Sequence, residues 1–478
     1  MRERMKRIIR PFVVLFSVML LTVSCLGDDS YSDVVYYGDT AITSFSLGTL
    51  KRTMVTEASD GTDSSYVADV DCSSYDFYID QLQKEIYNPD SLPLGVDGKK
   101  VLCSIGTKNA GTVGIKSMTS DSLKYFSTTD SIDFTVPRDF YVYSNSGLSY
   151  RKYTIRVNVH KEDGDVCVWK RMGTNDALAA LEGMKAFAVD GRLLVFGRKG
   201  DNTLLYSSVD GTAWTDITSG VGSTLSADAY KSVVESAGYI YLYDNGKVMK
   251  TADGQSWTVT GNAQLKQLVA ASSYRLYAYD AEGRLSESDD EGATWTTSVI
   301  DESQDLLPDE DITSVCMPLS TNASTERVVM VGNRNASEYP SDATPMIWGK
   351  IDEGAEYSEN QSWTYYDVSS DNKYKAPRLR NIQTVSYDDC ILALGGESIS
   401  GSSHKAFDSF YRSADGGITW QKDTVMTIPS GLSVSQKSFA ITVDKNNFMW
   451  FVCGGSGQVW RGRINRLGWI KEPDTFIE

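Results

Sequence analysis

Four carboxylates in the C-terminal two thirds of this chain recur in one setting, and carboxylates at fixed spacing are where acid–base or metal chemistry would start. Asp210, Asp253, Asp290 and Asp415 each stand two residues after a Ser or Thr, namely Ser208, Thr251, Ser288 and Ser413. Each is then followed by a glycine, Gly211, Gly254, Gly292 or Gly417, and by a tryptophan, Trp214, Trp257, Trp295 or Trp420. That grouping builds a turn. Short Ser, Thr and Asp side chains hydrogen-bond to nearby backbone, glycine takes a positive φ, and tryptophan opens the next strand as an apolar anchor. The turn consumes the carboxylate, so these sixteen positions read as structural.

Other candidate chemistry is sparse. His160 and His404 are the two histidines, and neither lies at ligand spacing from a cysteine, so no metal site is expected. The acidic stretch Asp301, Glu302, Asp305, Asp309, Glu310, Asp311 lacks the alternating carboxylates and turn glycine of a calcium loop and reads as a solvated segment. A glycine-rich phosphate loop, a G-x-S-x-G elbow and an H-E-x-x-H helix are all missing. No catalytic residue and no cofactor are assigned. Six cysteines besides Cys25 sit in or near apolar stretches and read as buried thiols, with Cys72–Cys103 the first pair to test for a disulfide.

The elements that carry the turns repeat as well. Trp214, Trp257, Trp295, Trp363, Trp420 and Trp469 are spaced near the about 40 to 45 residues of a four-stranded propeller blade, apart from longer intervals around 335–360 and 398–408. One apolar run falls in each unit: 192–197, 239–243, 274–279, 327–332, 390–395 and 448–453, the expected second strands. Trp363 follows a degenerate turn without its Asp, and Trp469 follows the plain strand 458–464. The spacing predicts a β-propeller over residues 163–478 with six blades, seven being the alternative.

The turns resemble the Asp-box, or BNR repeat, of sialidase-like propellers, and the pairs Gly395-Gly396 and Gly454-Gly455 resemble the kelch repeat. The first resemblance implies boxes at the blade rim, away from a central channel that binds ligand. It also raises a sialidase-like glycoside hydrolase as the alternative function. That chemistry needs three arginines around a carboxylate, a Tyr–Glu nucleophile pair and an acid. The Arg-Ile-Pro entry motif is absent, and Arg192, Arg275, Arg284, Arg334, Arg380 and Arg463 show no spacing that singles out three.

The N-terminus carries Arg2, Arg4, Lys6, Arg7 and Arg10, then the apolar run Phe12 to Val23, then Ser24-Cys25. This is the layout of a signal peptide over 1–24, too short for a membrane span. Leu21-Thr22-Val23-Ser24-Cys25 resembles a bacterial lipobox, which implies lipidation of Cys25 and a membrane anchor through it. The acidic tether 25–39 resembles the export tag of Bacteroidetes-type surface lipoproteins and implies an outer-membrane, outward-facing location; a solvated tether is the plain alternative. With 46 Lys and Arg against 63 Asp and Glu, the formal net charge of −17 repels phosphate, so nucleic acid is not an expected partner.

Between tether and propeller, residues 40–162 show recurrent strand patterns, with Tyr153, Ile155, Val157 and Val159 alternating onto one face. They predict a second all-β domain, a β-sandwich whose segment 137–161 resembles the closing hairpin of Ig-like modules. The whole layout resembles an uncharacterised family of Bacteroidetes lipoproteins with a domain of unknown function. The functional expectation is a cell-surface module that binds or scaffolds a glycan or protein partner without catalysis. Its contact segment is placed at 333–359, with Tyr339, Trp348 and Tyr357 as the candidate contact residues.

Overall fold

The structure is a computed structural model that describes residues 35–57, 63–354, 361–367, 372–399 and 404–470. Cys25, the signal segment and Tyr357 lie outside the described residues. The chain divides between Glu162 and Asp163 into two compact units.

In the first unit, strands Tyr78–Asp80, Glu85–Tyr87, Tyr150–Ile155, Arg138–Tyr143, Thr112–Lys116 and Leu123–Tyr125 form a six-stranded sheet in that spatial order. Ile42–Leu47 pairs separately with Cys103–Thr107, and Thr49–Glu57 with Asp63–Asp71. The core holds Ile42, Phe45, Leu47, Cys72, Cys103, Phe140, Val142, Tyr153 and Ile155. Tyr153, Ile155 and Val157 are buried and Val159 packs against them, as the alternation requires. Cys72 and Cys103 are free thiols in this core, and burial pushes the Cys103 thiol up to about 12. Residues 131–136 join this unit through an isolated bridge, Val101 to Ile132, and a bond from the Phe134 amide to the Gly98 carbonyl at 2.8 Å.

The second unit contains six antiparallel sheets of four or five strands among the described residues. Each of the six apolar runs overlaps the second strand of one sheet, at Arg192–Lys199, Tyr239–Asp244, Leu276–Asp280, Asn322–Asn333, Cys390–Leu394 and Met449–Cys453. Their uninterrupted hydrophobicity has a packing cause. In Asn322–Asn333, Val328 and Met330 face a cluster shared with the preceding sheet, while Val329 and Val331 face one shared with the next. Leu392 and Leu394 likewise point opposite to Ile391 and Ala393. A strand covered on both faces cannot alternate with polar residues. The core is thus distributed into clusters between consecutive sheets, and the cluster of Leu193, Val195, Trp450 and Val452 joins the last sheet to the first.

Strand pairing between the two ends of the unit also closes the ring. Cys167–Thr174, the first strand of the unit, pairs antiparallel with Gln458–Ile464 and supplies the last sheet's outer strand. Trp469 lies just beyond a 3₁₀ turn, Asn465–Gly468, and the outer strand of the last sheet comes from the start of the unit.

Candidate functional site

The four repeat turns join the third and fourth strands of their sheets. Asp210 Oδ1 accepts from the amides of Thr212 (2.8 Å) and Ala213 (3.1 Å), and its Oδ2 accepts from the Thr212 hydroxyl at 2.6 Å. Asp253, Asp290 and Asp415 are engaged in the same way, by the amides of Gln255 (2.8 Å), Thr294 (2.9 Å) and Thr419 (2.9 Å). Ser208, Thr251, Ser288 and Ser413 accept from the amides of Gly211, Gly254, Gly292 and Gly417 at 2.8 to 2.9 Å. Hydrogen bonds from Thr212 hold the Asp210 carboxyl down to about 2. Asp253 and Asp290 are lowered by similar bonds, and in Asp415 those bonds outweigh a burial that alone would raise it.

The ring nitrogens of Trp214, Trp257, Trp295 and Trp420 donate to the carbonyls of the same four glycines, at 3.3, 2.9, 3.0 and 2.9 Å. The glycines do more than turn. At Gly254 (φ +77°) a side chain would meet Leu194 of the preceding sheet at 2.8 Å, and at Gly292 (φ +89°) Val248 at 2.8 Å. Each turn is pressed against the blade before it, a contact that the repeat spacing does not reveal. In the degenerate turn Trp363 is fully buried with its ring N–H unpartnered, as expected where the glycine carbonyl acceptor has been lost.

Of the candidate contact residues, Trp348 is corrected. It lies in the strand Met346–Asp352, is 0% exposed, and its ring nitrogen donates to the Leu306 carbonyl at 2.9 Å. A strand flanked by sheets on both sides buried what sequence took for an exposed insertion. Tyr339 lies in the loop before that strand, half-buried, with the Arg334 guanidinium 3.8 Å above its ring. Arg334 binds both carboxylate oxygens of Asp342, and the buried Arg378 donates to the carbonyls of Tyr339 and Asp342. The loop is pinned from within. Among the arginines raised for a carboxylate triad, Arg275, Arg284, Arg334 and Arg380 are held apart by Asp352, Asp280, Asp342 and Glu310.

Sequence reasoning expected a central channel from the resemblance alone and missed Lys185, Thr313, Thr384 and Gln383 among the residues that line it. The first strands of the sheets, Gly183–Val189, Val233–Ser236, Leu265–Ala271, Glu310–Leu319, Gln383–Tyr387 and Phe439–Val443, surround a cavity of about 560 Å³. Side chains near the starts of these strands stitch neighbours together. Gln383 Nε2 donates to the carbonyls of Met184 (3.2 Å) and Phe439 (2.6 Å), and its Oε1 accepts from the Ile441 amide at 3.0 Å. The hydroxyls of Thr313 and Thr384 meet at 3.0 Å, and Gln267 Nε2 donates to the Lys231 carbonyl at 3.1 Å. Lys185 lines the same level, and its Nζ donates to that carbonyl at 2.8 Å. Desolvation, with Lys231 adding to it, pulls the Lys185 ammonium down to about 8. A lysine inside the apolar strand Gly-Met-Lys-Ala-Phe-Ala-Val was the available sequence clue.

Between the third and fourth sheets lies a second polar group. Lys350 Nζ bonds Glu287 at 3.0 Å and the Gln361 carbonyl at 2.8 Å, while Asp352 takes Arg275, the Tyr277 hydroxyl (2.8 Å) and the Ser272 hydroxyl (2.6 Å). Among the described residues no group of three or more His, Cys, Asp or Glu is placed to hold a metal ion, and no helix is long and apolar enough to cross a membrane.

A closed ring of four-stranded sheets around a polar channel defines a β-propeller. The chain belongs to the DUF6242 family: residues 163–472 match the DUF6242 beta propeller domain, and 45–157 match the N-terminal domain of unknown function (DUF6242). No curated protein matches it significantly. Among solved structures it is similar to YCF48 from Cyanidioschyzon merolae, at 14% identity and TM-score 0.29 over 62% of this chain and 99% of that one. An iodide structure of the Trichoderma reesei carbohydrate-active enzyme family AA12 is similar at 13% identity and TM-score 0.36, covering 63% and 96%. The GH74 enzyme of Niastella koreensis is similar at 15% identity and TM-score 0.31, covering 74% and 44%. At these values the likenesses bear on neither activity nor partner.

Proposed function

We propose that this chain is a lipid-anchored module of the outer membrane, exposed at the cell surface, whose propeller binds a glycan or protein partner and does not turn it over. The observation that carries the binding reading is the channel. It is a pre-formed cavity within the roughly 300–1,000 Å³ of small-molecule sites, walled by side chains held in fixed positions by inter-strand hydrogen bonds. The non-catalytic half rests on commitment: the repeat-turn carboxylates, read as Asp-boxes, are spent on backbone amides, and four of the scattered arginines are spent on separate carboxylates.

A glycan array and a fluorogenic sialoside assay on the full chain test this together. Saturable binding without product is the expected outcome; turnover abolished by replacing one channel-lining residue would favour the hydrolase. Location is tested apart from binding. Cys25→Ala should leave unprocessed precursor, and intact cells should expose the unmodified protein to added protease. Full protection would replace surface exposure with an inward-facing anchor.

A further inference from the structure

Lysines and arginines that line the channel are neutralised or solvated, with one exception. Arg380 pairs with Glu310 at 2.9 Å and Lys231 with Asp228 at 3.1 Å, while Lys437 is exposed at the rim. Lys185 has a backbone carbonyl as its acceptor and, among the described residues, no carboxylate within ion-pair distance. Its partial exposure is to the cavity it lines. An ammonium removed from bulk water without a counter-ion is costly, and the cost is relieved by an anion brought into the cavity.

We propose that the propeller channel is a binding site for a small, singly charged, polyhydroxylated carboxylate, a hexuronate in size and chemistry, whose carboxylate pairs with Lys185 Nζ. The single charge follows from the lining. Among the described residues, Lys185 is the lining cation without a carboxylate partner and answers one negative charge, whereas a phosphate dianion would add a second charge to a channel that also carries Glu235, Asp309 and Asp311. The hydroxyls follow from the same wall. Thr313 and Thr384, which line the same cavity with their hydroxyls 3.0 Å apart, and the Asp311 carboxylate, which takes Asn333 Nδ2 at 3.0 Å, offer hydrogen-bonding partners to a sugar ring. An amine pulled towards neutrality by desolvation regains its charge when the anion arrives. This deepens the binding reading above and rests on it.

Titration calorimetry on the full chain in detergent, with D-glucuronate, D-galacturonate, D-glucose and D-glucose 6-phosphate, tests the proposal. One or both hexuronates should bind and the neutral sugar should not. Lys185→Met should weaken hexuronate binding by about 10- to 100-fold, the loss expected for a charge-assisted hydrogen bond, and Lys231→Met should leave it nearly unchanged. Should Lys185→Met fail to fold, the unmodified chain still decides. Its affinity should fall about tenfold per pH unit above about 8 as the free-site ammonium loses its proton. The other charged or titratable groups along the channel are Tyr230, which burial pushes up to about 12, Asp309, Asp311 and Cys316, all raised by burial, and Lys231, Glu235, Glu310, Arg380 and Lys437. Hexuronate binding that ignores both Lys185→Met and pH overturns the proposal, as does tighter binding of the phosphate or no hexuronate binding at all. A glycan or protein partner still bound in that last case would leave the broader binding reading standing.

Discussion

Two lysines sit inside apolar strands of the same propeller, and their surroundings differ in one respect. Lys350, 1% exposed, meets the Glu287 carboxylate at 3.0 Å between the third and fourth sheets, and Glu287 is fixed in turn by Ser298 at 2.8 Å. Lys185 meets a carbonyl at the edge of a cavity. Burial lowers both ammonium groups, but at Lys350 the Glu287 charge works against that shift, and at Lys185 the neighbouring Lys231 adds to it. A buried charge with its partner inside the protein belongs to the structure. One whose missing partner would fit the adjoining space points outward, to a ligand.

Removing a partner from the closed pair should have the largest effect. Glu287→Ala takes from Lys350 the carboxylate that balances it between two sheets, and should cost about 3–5 kcal/mol in denaturant unfolding. If the loss is below about 1 kcal/mol, water reaches Lys350 and the contrast with Lys185 weakens. The repeat turns supply a charge satisfied locally, between those extremes. Asp290→Ala removes acceptors for Thr294 and Ser288 and should cost roughly 1–3 kcal/mol while ligand binding is retained. Lost binding without a melting shift would make the turns functional.

The turns also predict an acid response. Asp210 is held down to about 2, below its unfolded value of about 3.9, so its contribution is complete above about pH 4 and drains away as pH falls towards 2. Asp210→Asn should flatten the acid limb of a stability–pH curve. An unchanged limb would mean that the Thr212 bonds do not distinguish the charged form.

The smallest effect on stability is expected at Lys185, where the sign is informative. Its folded value near 8 lies below the unfolded value of about 10.4, so between these limits the unfolded chain holds more protons and stability rises with pH. Lys185→Met should remove that rise, seen as the difference between the two proteins' melting curves from pH 7 to 10.5, and should not lower stability at pH 7. A marked loss at pH 7 would show Lys185 to be a structural residue like Lys350.

What could be read from sequence follows the range of the interactions. The repeat turns are local: Ser208, Asp210, Gly211 and Trp214 bond to one another within seven residues, so their spacing carries the geometry. The second strands were legible because burial on both faces leaves an uninterrupted apolar run. Trp348 misled for the same reason, since a tryptophan in a long interval reads alike as an exposed contact or as the middle of a buried strand. The side chains that meet in the central channel were not legible. Lys185, Lys231, Gln383 and Thr313 meet only when inner strands up to about 200 residues apart close the ring, as in the bond from Gln383 to Met184. No local spacing encodes that encounter. The outer strand of the last sheet was hidden similarly, because closure draws it from Cys167–Thr174 at the opposite end of the unit.

The most direct test is a crystal structure of the chain soaked with D-glucuronate. The sugar's carboxylate is expected within about 3 Å of Lys185 Nζ in the channel, with its ring hydroxyls facing Thr313, Thr384 or Asp311. An empty channel with the sugar seated elsewhere, or a channel ligand whose carboxylate turns away from Lys185, would contradict it.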